Sequence, residues 1–189
     1  MSSPAHDIFH RHRLTVAEYH RMAEAGIFSP DARVELIEGE VIDMPPIGSP
    51  HAGTVGFLGK RLERAAGDHA LVFVQNPIFL DRHHEPQPDL MLLRPRADFY
   101  KSAHPQPGDV LLIVEVADTS LAYDTQIKLP LYARHGIPEV WLADLPNRRF
   151  IARCPPTLTG FQDVQVLTDL STVTPLLLPD VAVDLSDLF

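Results

Sequence analysis

The sequence predicts an α/β fold in which helices flank a mixed central β-sheet, with a helix and a β-hairpin near the N-terminus. The length of 189 residues suits one domain (1–189) with a sizeable core. Segments with helical periodicity alternate with short apolar segments that are typical of strands. The most apolar of these, "VLLIVEVA" (110–117), is expected to be a central strand that is buried on both faces.

The N-terminal part of the chain is predicted to contain a leader, a helix and a hairpin. Residues 1–13 are expected to be flexible. A helix is predicted at 15–26, because Thr15 and Glu18 have the spacing of a capping box and a glycine ends the segment. The segment 33–46 alternates apolar and charged residues on both sides of a Glu-Gly turn, which indicates a β-hairpin.

Two further helices are predicted. One covers 49–68, with Ser49 as its cap and a proline in its first turn. The other covers 123–136, and Asp124 is interpreted as its N-cap. Pro130 is expected to kink or restart this helix, because a proline in a helix interior costs about 3 kcal/mol.

Short apolar segments predict the strands of the sheet. The first of them, 70–80, is expected to break into two segments at Asn76-Pro77. After residue 160 the chain is expected to form short β or irregular segments. The predicted strands lie at 70–80, 89–95, 110–117, 139–145 and 148–154.

Composition limits the classes of function. No apolar run approaches the roughly 18 residues that a membrane span requires. The N-terminus has no apolar stretch of the kind found in signal peptides, and Cys154 is the single cysteine, so a cytoplasmic location is expected. The net charge of −9 argues against sequence-independent binding of nucleic acid, because such binding needs clustered lysine and arginine.

Two carboxylates stand out because they lie on predicted buried strands. Glu115 is in the middle of 110–117, and Asp89 opens the strand before it. An unpaired ionised carboxylate taken out of water costs several kcal/mol, so Glu115 is expected to be paired, bound to a cation or facing a cleft. If the two strands are neighbours, Asp89 and Glu115 meet at one edge of the sheet, and Lys128 follows on the next helix.

An aspartate, a glutamate and a lysine that converge in this way predict a site for a hard divalent cation. Carboxylate oxygens are ligands for Mg²⁺, and such an ion neutralises charge on a phosphodiester. A neighbouring ammonium group can orient the nucleophile or stabilise the transition state. Buried acid–base pairs are also common structural features, so the residues alone leave both interpretations open.

Four segments of the chain resemble a known protein family: "VELIEGEVIDM", "QPDLMLL", "LLIVEVADTSLAYDTQIKLPLYARHGIPEVWLAD" and "RRF". They are similar to the Uma-type family of candidate restriction endonucleases, a branch of the PD-(D/E)XK nuclease superfamily. The likeness extends from Thr15 to the closing "LSDLF", and 111–144 is its most specific part. It implies a restriction-endonuclease-like fold and phosphodiester cleavage that depends on Mg²⁺ or Mn²⁺.

The resemblance also implies roles for individual residues. Asp89 and Glu115 match the acidic residues of the superfamily motif and are implied to bind the metal. Glu35 matches an early glutamate of the family and is implied to be a further ligand of the metal or of a water molecule. The motif lysine usually lies two residues after the glutamate, where this chain has Ala117. Lys128 is therefore implied to take its role and to position the nucleophilic water.

The implied partner is nucleic acid, expected to be DNA, and a homodimer is expected. Lys60, Arg61 and Arg64 on the second helix could supply phosphate contacts that the acidic chain otherwise lacks. The alternative is a catalytically inactive binding or scaffold protein of the same fold, which would explain both the acidic charge and the missing lysine. A third interpretation is a metal hydrolase that acts on a small phosphate ester.

Other residues have a structural and a functional interpretation. His51 matches a histidine of the family, so contact with a phosphate and a place on the surface are both open. Gln126 is expected at the surface, and Tyr132 is expected in the core or at an interface. A zinc site is a weaker alternative, because the usual ligand spacing is absent from His83, His84 and Glu85.

Overall fold

The computed structural model describes residues 11–189 of the chain. Of the predicted flexible leader at 1–13, residues 1–10 lie outside this described part. The organisation of 1–189 as one domain stays a prediction. The chain divides into two compact units, of which the first is formed by residues up to Pro45 with Leu80–Pro86, and the second by Pro46–Phe79 with Gln87–Phe189.

The first unit contains a helix and a hairpin, namely α1 (Val16–Glu24), β1 (Val34–Ile37) and β2 (Glu40–Asp43). The predicted capping box is confirmed: the Glu18 amide donates to Thr15 Oγ1 at 3.2 Å, and the Thr15 amide donates to Glu18 Oε2 at 2.8 Å. The hairpin is confirmed as well. Its strands pair antiparallel across Glu38 and Gly39, which both have positive φ, as in a tight two-residue turn.

A six-stranded mixed sheet forms the centre of the second unit, with the strand order β3-β4-β5-β6-β7-β8. Neighbouring strands are antiparallel except β5 and β6, which are parallel and are joined through a helical segment. All eight residues of β5 are buried, which confirms the expected central strand. The strands are β3 (Leu71–Val74), β4 (Leu90–Leu93), β5 (Val110–Ala117), β6 (Val140–Asp144), β7 (Arg149–Thr157) and β8 (Gly160–Leu167).

Helices lie on both faces of this sheet. The long helix α2 (Ser49–Ala66) packs its apolar stripe onto a core cluster that includes Val114 and Val116 of β5. Side chains alternate along a strand, so Glu115 points to the other face. There it contacts Tyr132, which belongs to the helical segment before β6. The predicted mixed sheet flanked by helices is therefore confirmed.

The helical segment before β6 contains the irregularity expected near Pro130. It consists of α3 (Leu121–Tyr123), a π-helical turn (Asp124–Lys128) and α4 (Leu129–Arg134). The Leu129 amide donates to the carbonyl of Asp124, five residues earlier, instead of to the residue four earlier. Proline has no amide hydrogen and its ring crowds the carbonyl four residues before it. The wider turn accommodates Pro130 without ending the helix.

Three local predictions are wrong. The interpretation of Asp124 as a cap fails because the helix begins at Leu121, and Asp124 has helical angles of φ −59° and ψ −47°. Ser49 is the first helical residue of α2, and the cap position falls on Gly48, which has no side chain to offer. The first strand of the sheet ends at Val74, because Gln75 has a positive φ of 50° and takes the chain out of the extended conformation.

The remaining predicted elements are present with shifted ends. β7 continues beyond its predicted end to Thr157. In the C-terminal segment, Val173 and Val183 form an isolated antiparallel bridge. Short 3₁₀ helices lie at Gly67–His69 and Pro107–Asp109. Between residues 11 and 189, no helix has the length and apolar character that crossing a membrane would require.

Candidate functional site

Asp89 and Glu115 lie side by side on neighbouring antiparallel strands. The register pairs Leu90 with Val114, which places Asp89, the residue before β4, opposite Glu115. The Asp89 amide donates to Glu115 Oε2 at 3.3 Å, and the Val116 amide donates to Asp89 Oδ2 at 2.9 Å. The two predicted carboxylates therefore do converge at the end of β5, and the backbone of each strand orients the side chain of the other.

Glu115 is paired, which answers why a charged residue lies in a core strand. Its side chain is 2% exposed, and its Oε1 lies 2.9 Å from Lys128 Nζ. The Tyr132 hydroxyl donates to the same oxygen at 2.6 Å. Lys128 Nζ also donates to the carbonyl of Gln87 at 3.4 Å. The structure thus brings Lys128 to the glutamate from the following helix, although Ala117 stands at the usual position of the lysine.

Burial dominates the protonation of Glu115 and raises its pKa to about 8. The charge of Lys128 and the hydrogen bond from Tyr132 oppose this shift. The negative charges of Asp89 and Asp124 add to it. Glu115 therefore holds a proton at neutral pH, and any cation that binds here must displace that proton.

Asp89 has the opposite behaviour, although it too is buried. Burial alone would raise its pKa, but the hydrogen bond and charge of His51, together with the charge of Lys128 and the Val116 amide, hold the pKa below its ordinary value. His51 Nε2 lies 3.1 Å from Asp89 Oδ2. Gln75 Nε2 donates to Oδ1 at 3.3 Å. Asp89 is thus a fixed, ionised carboxylate at neutral pH.

The helical segment before β6 presents its polar residues at spacings of four. Lys128 and Tyr132 both reach Glu115, and Asp124 precedes them by four residues and is also buried. In a regular α-helix, four residues exceed one full turn, so residues at this spacing drift around the axis. The wider turn at Asp124–Lys128 reduces that drift. The π-helical turn therefore helps to aim Lys128 at the strand.

The donor set of this cluster suits a hard divalent cation. The buried carboxylates of Asp89, Glu115 and Asp124 outnumber the buried ammonium group of Lys128. Once Glu115 has lost its proton, this excess of negative charge away from water is unfavourable without a counter-charge. Glu115 Oε2 and Asp89 Oδ1 each accept only a long hydrogen bond of 3.3 Å among the described residues, so both keep lone pairs for a ligand. Oxygen donors of this kind fit Mg²⁺ or Mn²⁺.

Four residues of the cluster are not identified as members of the site by the sequence alone. His51 was open between surface and phosphate contact, Tyr132 was expected in the core or at an interface, and Asp124 was interpreted as a cap. One signal for His51 was available, because it continues the apolar stripe of α2 and must face inward. The sequence gives no such signal for Gln75. This residue follows the end of β3, and its positive φ, which the sequence does not predict, accompanies its contact with Asp89. Gln126 is exposed, as expected.

Glu35 lies on β1 in the first unit and is 1% exposed, whereas Asp89, Glu115 and Lys128 belong to the second unit. Its role as a ligand stays a prediction. His83, His84 and Glu85 do not form one zinc site together, because the three neighbouring side chains turn to three different partners. These contacts are His83 Nδ1 with the Leu14 carbonyl at 2.8 Å, His84 Nδ1 with Asp81 Oδ1 at 2.6 Å, and His20 Nε2 with Glu85 Oε1 at 2.6 Å.

One of the three basic residues of α2 that were expected to contact phosphate is paired with acidic side chains. Arg61 lies 3.0 Å from Asp187 and 3.7 Å from Asp184, so its charge is balanced by the C-terminal segment. Lys60 and Arg64 are exposed. Any patch on this helix therefore rests on these two residues.

Comparisons with known proteins identify the family and the fold of the chain. A family model named Uma2, with the description "Putative restriction endonuclease", matches residues 16–186. The crystal structure of a "putative nuclease belonging to DUF820" from Anabaena variabilis ATCC 29413 has 17% sequence identity and a TM-score of 0.71, and the match covers 93% of this chain and 97% of that one. This likeness confirms the expected restriction-endonuclease-like fold. No curated protein matches the chain significantly.

Proposed function

The chain belongs to the Uma2 family, described as "Putative restriction endonuclease", and we propose on that basis that it is a metal-dependent endonuclease that hydrolyses phosphodiester bonds. The observation that carries the proposal is the contact of Asp89, Glu115 and Lys128 within one buried cluster at the end of β5. A structural ion pair alone would not need the second carboxylate, whose ionised state is held by His51 and the Val116 amide.

Asp89 and Glu115 would hold the metal ion. When bound, the ion would neutralise charge on the phosphodiester and make a water molecule more acidic. Lys128, held between Glu115 and the Gln87 carbonyl, would orient the attacking water and balance the charge that develops on the phosphate. Tyr132 would keep the Glu115 carboxylate in place.

We propose DNA as the substrate and a homodimer as the active form, in a cytoplasmic location. The acidic net charge of −9 leads us to expect weak binding, and the few exposed basic residues lead us to expect a shallow dependence on salt, because few phosphates are neutralised. Two copies could surround a duplex with the few exposed basic residues that each one has. Light scattering of the purified chain, with and without a DNA duplex, measures the mass of the complex. A monomer under both conditions would contradict the dimer.

The direct test of the proposed activity is cleavage of supercoiled plasmid and of single-stranded DNA with Mg²⁺, with Mn²⁺ and with a chelator. We expect cleavage only with metal, and its loss in Asp89→Ala, whereas the exposed matched control Asp68→Ala keeps it. Equal activity in all three proteins would indicate a contaminating nuclease. A scaffold protein would show neither cleavage nor a metal-dependent rise in melting temperature, and a small-ester hydrolase would cleave an aryl phosphate ester but not DNA.

Metal affinity should depend on pH in a way that the pKa of Glu115 sets. Because that pKa is raised to about 8, metal must displace a proton below this pH. We expect the apparent affinity to fall about tenfold per pH unit below pH 8 and to level off above it. Calorimetry at several pH values, in buffers of different ionisation enthalpy, should count close to one proton released at pH 7. An affinity that does not vary between pH 6 and 9 would contradict this assignment.

Tyr132→Phe should weaken metal binding without removing it. The hydroxyl donates to Glu115 Oε1 at 2.6 Å, and loss of a partner that orients a ligand typically costs about 10–100-fold in metal affinity. Tyr100→Phe is a matched control, because the buried Tyr100 donates in the same way to the carbonyl of Arg94 at 2.8 Å. Titration of Mn²⁺ into the three proteins measures the effect. Equal affinity in wild type and Tyr132→Phe would show that this hydrogen bond is only structural.

A further inference from the structure

Among the described residues, His51 supplies the one imidazole nitrogen in contact with the carboxylate pair. His51 also lies at the edge of the cluster that is more exposed to solvent. The side chains of His51 and Asp89 are 15% and 12% exposed, whereas that of Glu115 is 2% exposed. A hydrated ion would reach the carboxylates from this edge, and His51 would be the first side chain that it meets.

The distance between His51 and Asp89 suits a shared metal ion. In an octahedral site with ligand bonds of about 2.1 Å, neighbouring ligand atoms are about 3 Å apart. His51 Nε2 and Asp89 Oδ2 are 3.1 Å apart. These two ligands could therefore share an ion after small side-chain rotations. The ligand atoms of His51, Asp89 and Glu115 do not all lie within 4.8 Å of one another, so Glu115 would have to turn toward the ion.

The position of His51 is also fixed by the fold. It lies in the first turn of α2, an 18-residue helix that Val55, Leu58 and Leu62 anchor in the core. The Val116 amide fixes Asp89 from the other side. Both donors are therefore held by rigid elements, as a metal ligand requires.

We propose that His51 is a metal ligand together with Asp89 and Glu115, and that it makes the site prefer a divalent first-row transition metal ion over Mg²⁺. This inference rests on the proposed function, since it takes the carboxylate pair as the metal site. Mg²⁺ favours oxygen donors and keeps several waters, so an imidazole adds little to its binding. Imidazole nitrogen suits first-row ions such as Fe²⁺, Ni²⁺ and Zn²⁺, whereas Mn²⁺ is closer to Mg²⁺ in its preference for oxygen.

A different role for His51 would produce the same distance. As a positioning residue, it would only donate a hydrogen bond to Asp89, and its nitrogen would never contact the ion. The two roles differ in one observable, which is a direct bond between the metal and nitrogen. Mn²⁺ is a suitable probe because it is paramagnetic and senses the nuclear spin of a bound nitrogen.

The experiment is pulsed electron paramagnetic resonance of the full chain loaded with Mn²⁺ below one equivalent. We expect a ¹⁴N modulation in wild type and in His69→Ala, whose histidine is exposed beyond the end of α2. The modulation should be lost in His51→Ala and in His51→Gln, which keeps an amide to hydrogen-bond Asp89. The Asp89→Asn variant measures the background signal from Mn²⁺ that other histidines bind elsewhere on the chain. This background is subtracted from the signal of each protein.

Affinity supplies a second readout that does not depend on activity. In His51→Ala we expect Ni²⁺ affinity to fall at least about tenfold and Mn²⁺ affinity to fall less, while Mg²⁺ affinity changes less than about threefold. No ¹⁴N modulation in wild type, or a modulation that persists in both His51 variants, would overturn the proposal. A ¹⁴N signal without DNA cleavage would support His51 as a metal ligand and contradict the proposed nuclease activity. DNA cleavage without a ¹⁴N signal would support the nuclease activity and contradict His51 as a ligand.

Discussion

Glu115→Gln is expected to abolish metal binding and DNA cleavage while leaving the metal-free chain folded. With a pKa of about 8, Glu115 carries a proton at neutral pH in the absence of metal, and glutamine resembles that neutral form. It can still accept from Tyr132 and Lys128. It cannot supply the negative charge that a divalent ion needs, so we expect cleavage to fall by about 10²–10³-fold or more.

The stability of the metal-free chain separates this explanation from simple unfolding. A carboxyl group with a raised pKa binds a proton in the folded chain and not in the unfolded one between about pH 4.5 and 8. Its contribution to the free energy of unfolding therefore falls as the pH rises through this window. Wild type should lose stability relative to Glu115→Gln by about 1.4 kcal/mol per pH unit there.

Urea denaturation between pH 5 and 9 measures this difference. Glu63→Gln, on the exposed face of α2, is the matched control and should follow wild type at every pH. A Glu115→Gln variant that still binds Mn²⁺ as wild type does, or whose stability follows wild type across the window, would show that the buried carboxylate has another role.

Lys128→Met is expected to separate cleavage from metal binding. The substitution removes the ammonium group that lies 2.9 Å from Glu115 and keeps a side chain of similar length in the same buried position. Loss of one group that stabilises developing charge typically lowers the turnover number by about 10²–10³-fold. Metal should still bind at pH 9, because both carboxylates remain and a positive charge that repels a cation has gone. Loss of the Lys128 charge also raises the pKa of Glu115 further, so a higher metal concentration is needed to displace its proton.

The same two assays decide whether Lys128 has this role. Lys101→Met replaces an exposed lysine on the connector between β4 and β5 and should cleave as wild type does. If Lys128→Met cleaves at the wild-type rate, the lysine at this helix is a structural partner of Glu115 only. If it loses metal as well as cleavage at pH 9, its role is to support the ligands and not to act on the substrate.

The order of the elements was predictable because it follows from local patterns. The capping box of α1, the Glu-Gly turn of the hairpin and the unbroken apolar run of β5 each depend on residues close in sequence. The errors came where tertiary context decides the backbone. A positive φ at Gln75 ends a strand early, and the helix before β6 begins at Leu121, so that Asp124 lies inside it in a π-helical turn.

The site was predictable only in part, for a similar reason. Asp89 and Glu115 stand out in a sequence because a carboxylate in an apolar strand is unusual. Lys128 is a candidate from its place on the next helix, and the family resemblance implies its role. His51, Tyr132 and Asp124 are ordinary residues of helices, and their importance depends on which face each helix presents to β5. That orientation depends on packing between elements far apart in the chain. No local pattern specifies it.

The measurement that tests the central claim most directly is cleavage of a supercoiled plasmid with Mn²⁺ and with Mg²⁺ at pH 9. It compares wild type, Glu115→Gln and Lys128→Met, each with its bound metal counted in the same sample. We expect wild type to bind metal and cleave, Lys128→Met to bind metal without cleaving, and Glu115→Gln to do neither. Cleavage by all three proteins, or metal binding that is the same in all three, would contradict the assignment of Asp89, Glu115 and Lys128 as a nuclease centre.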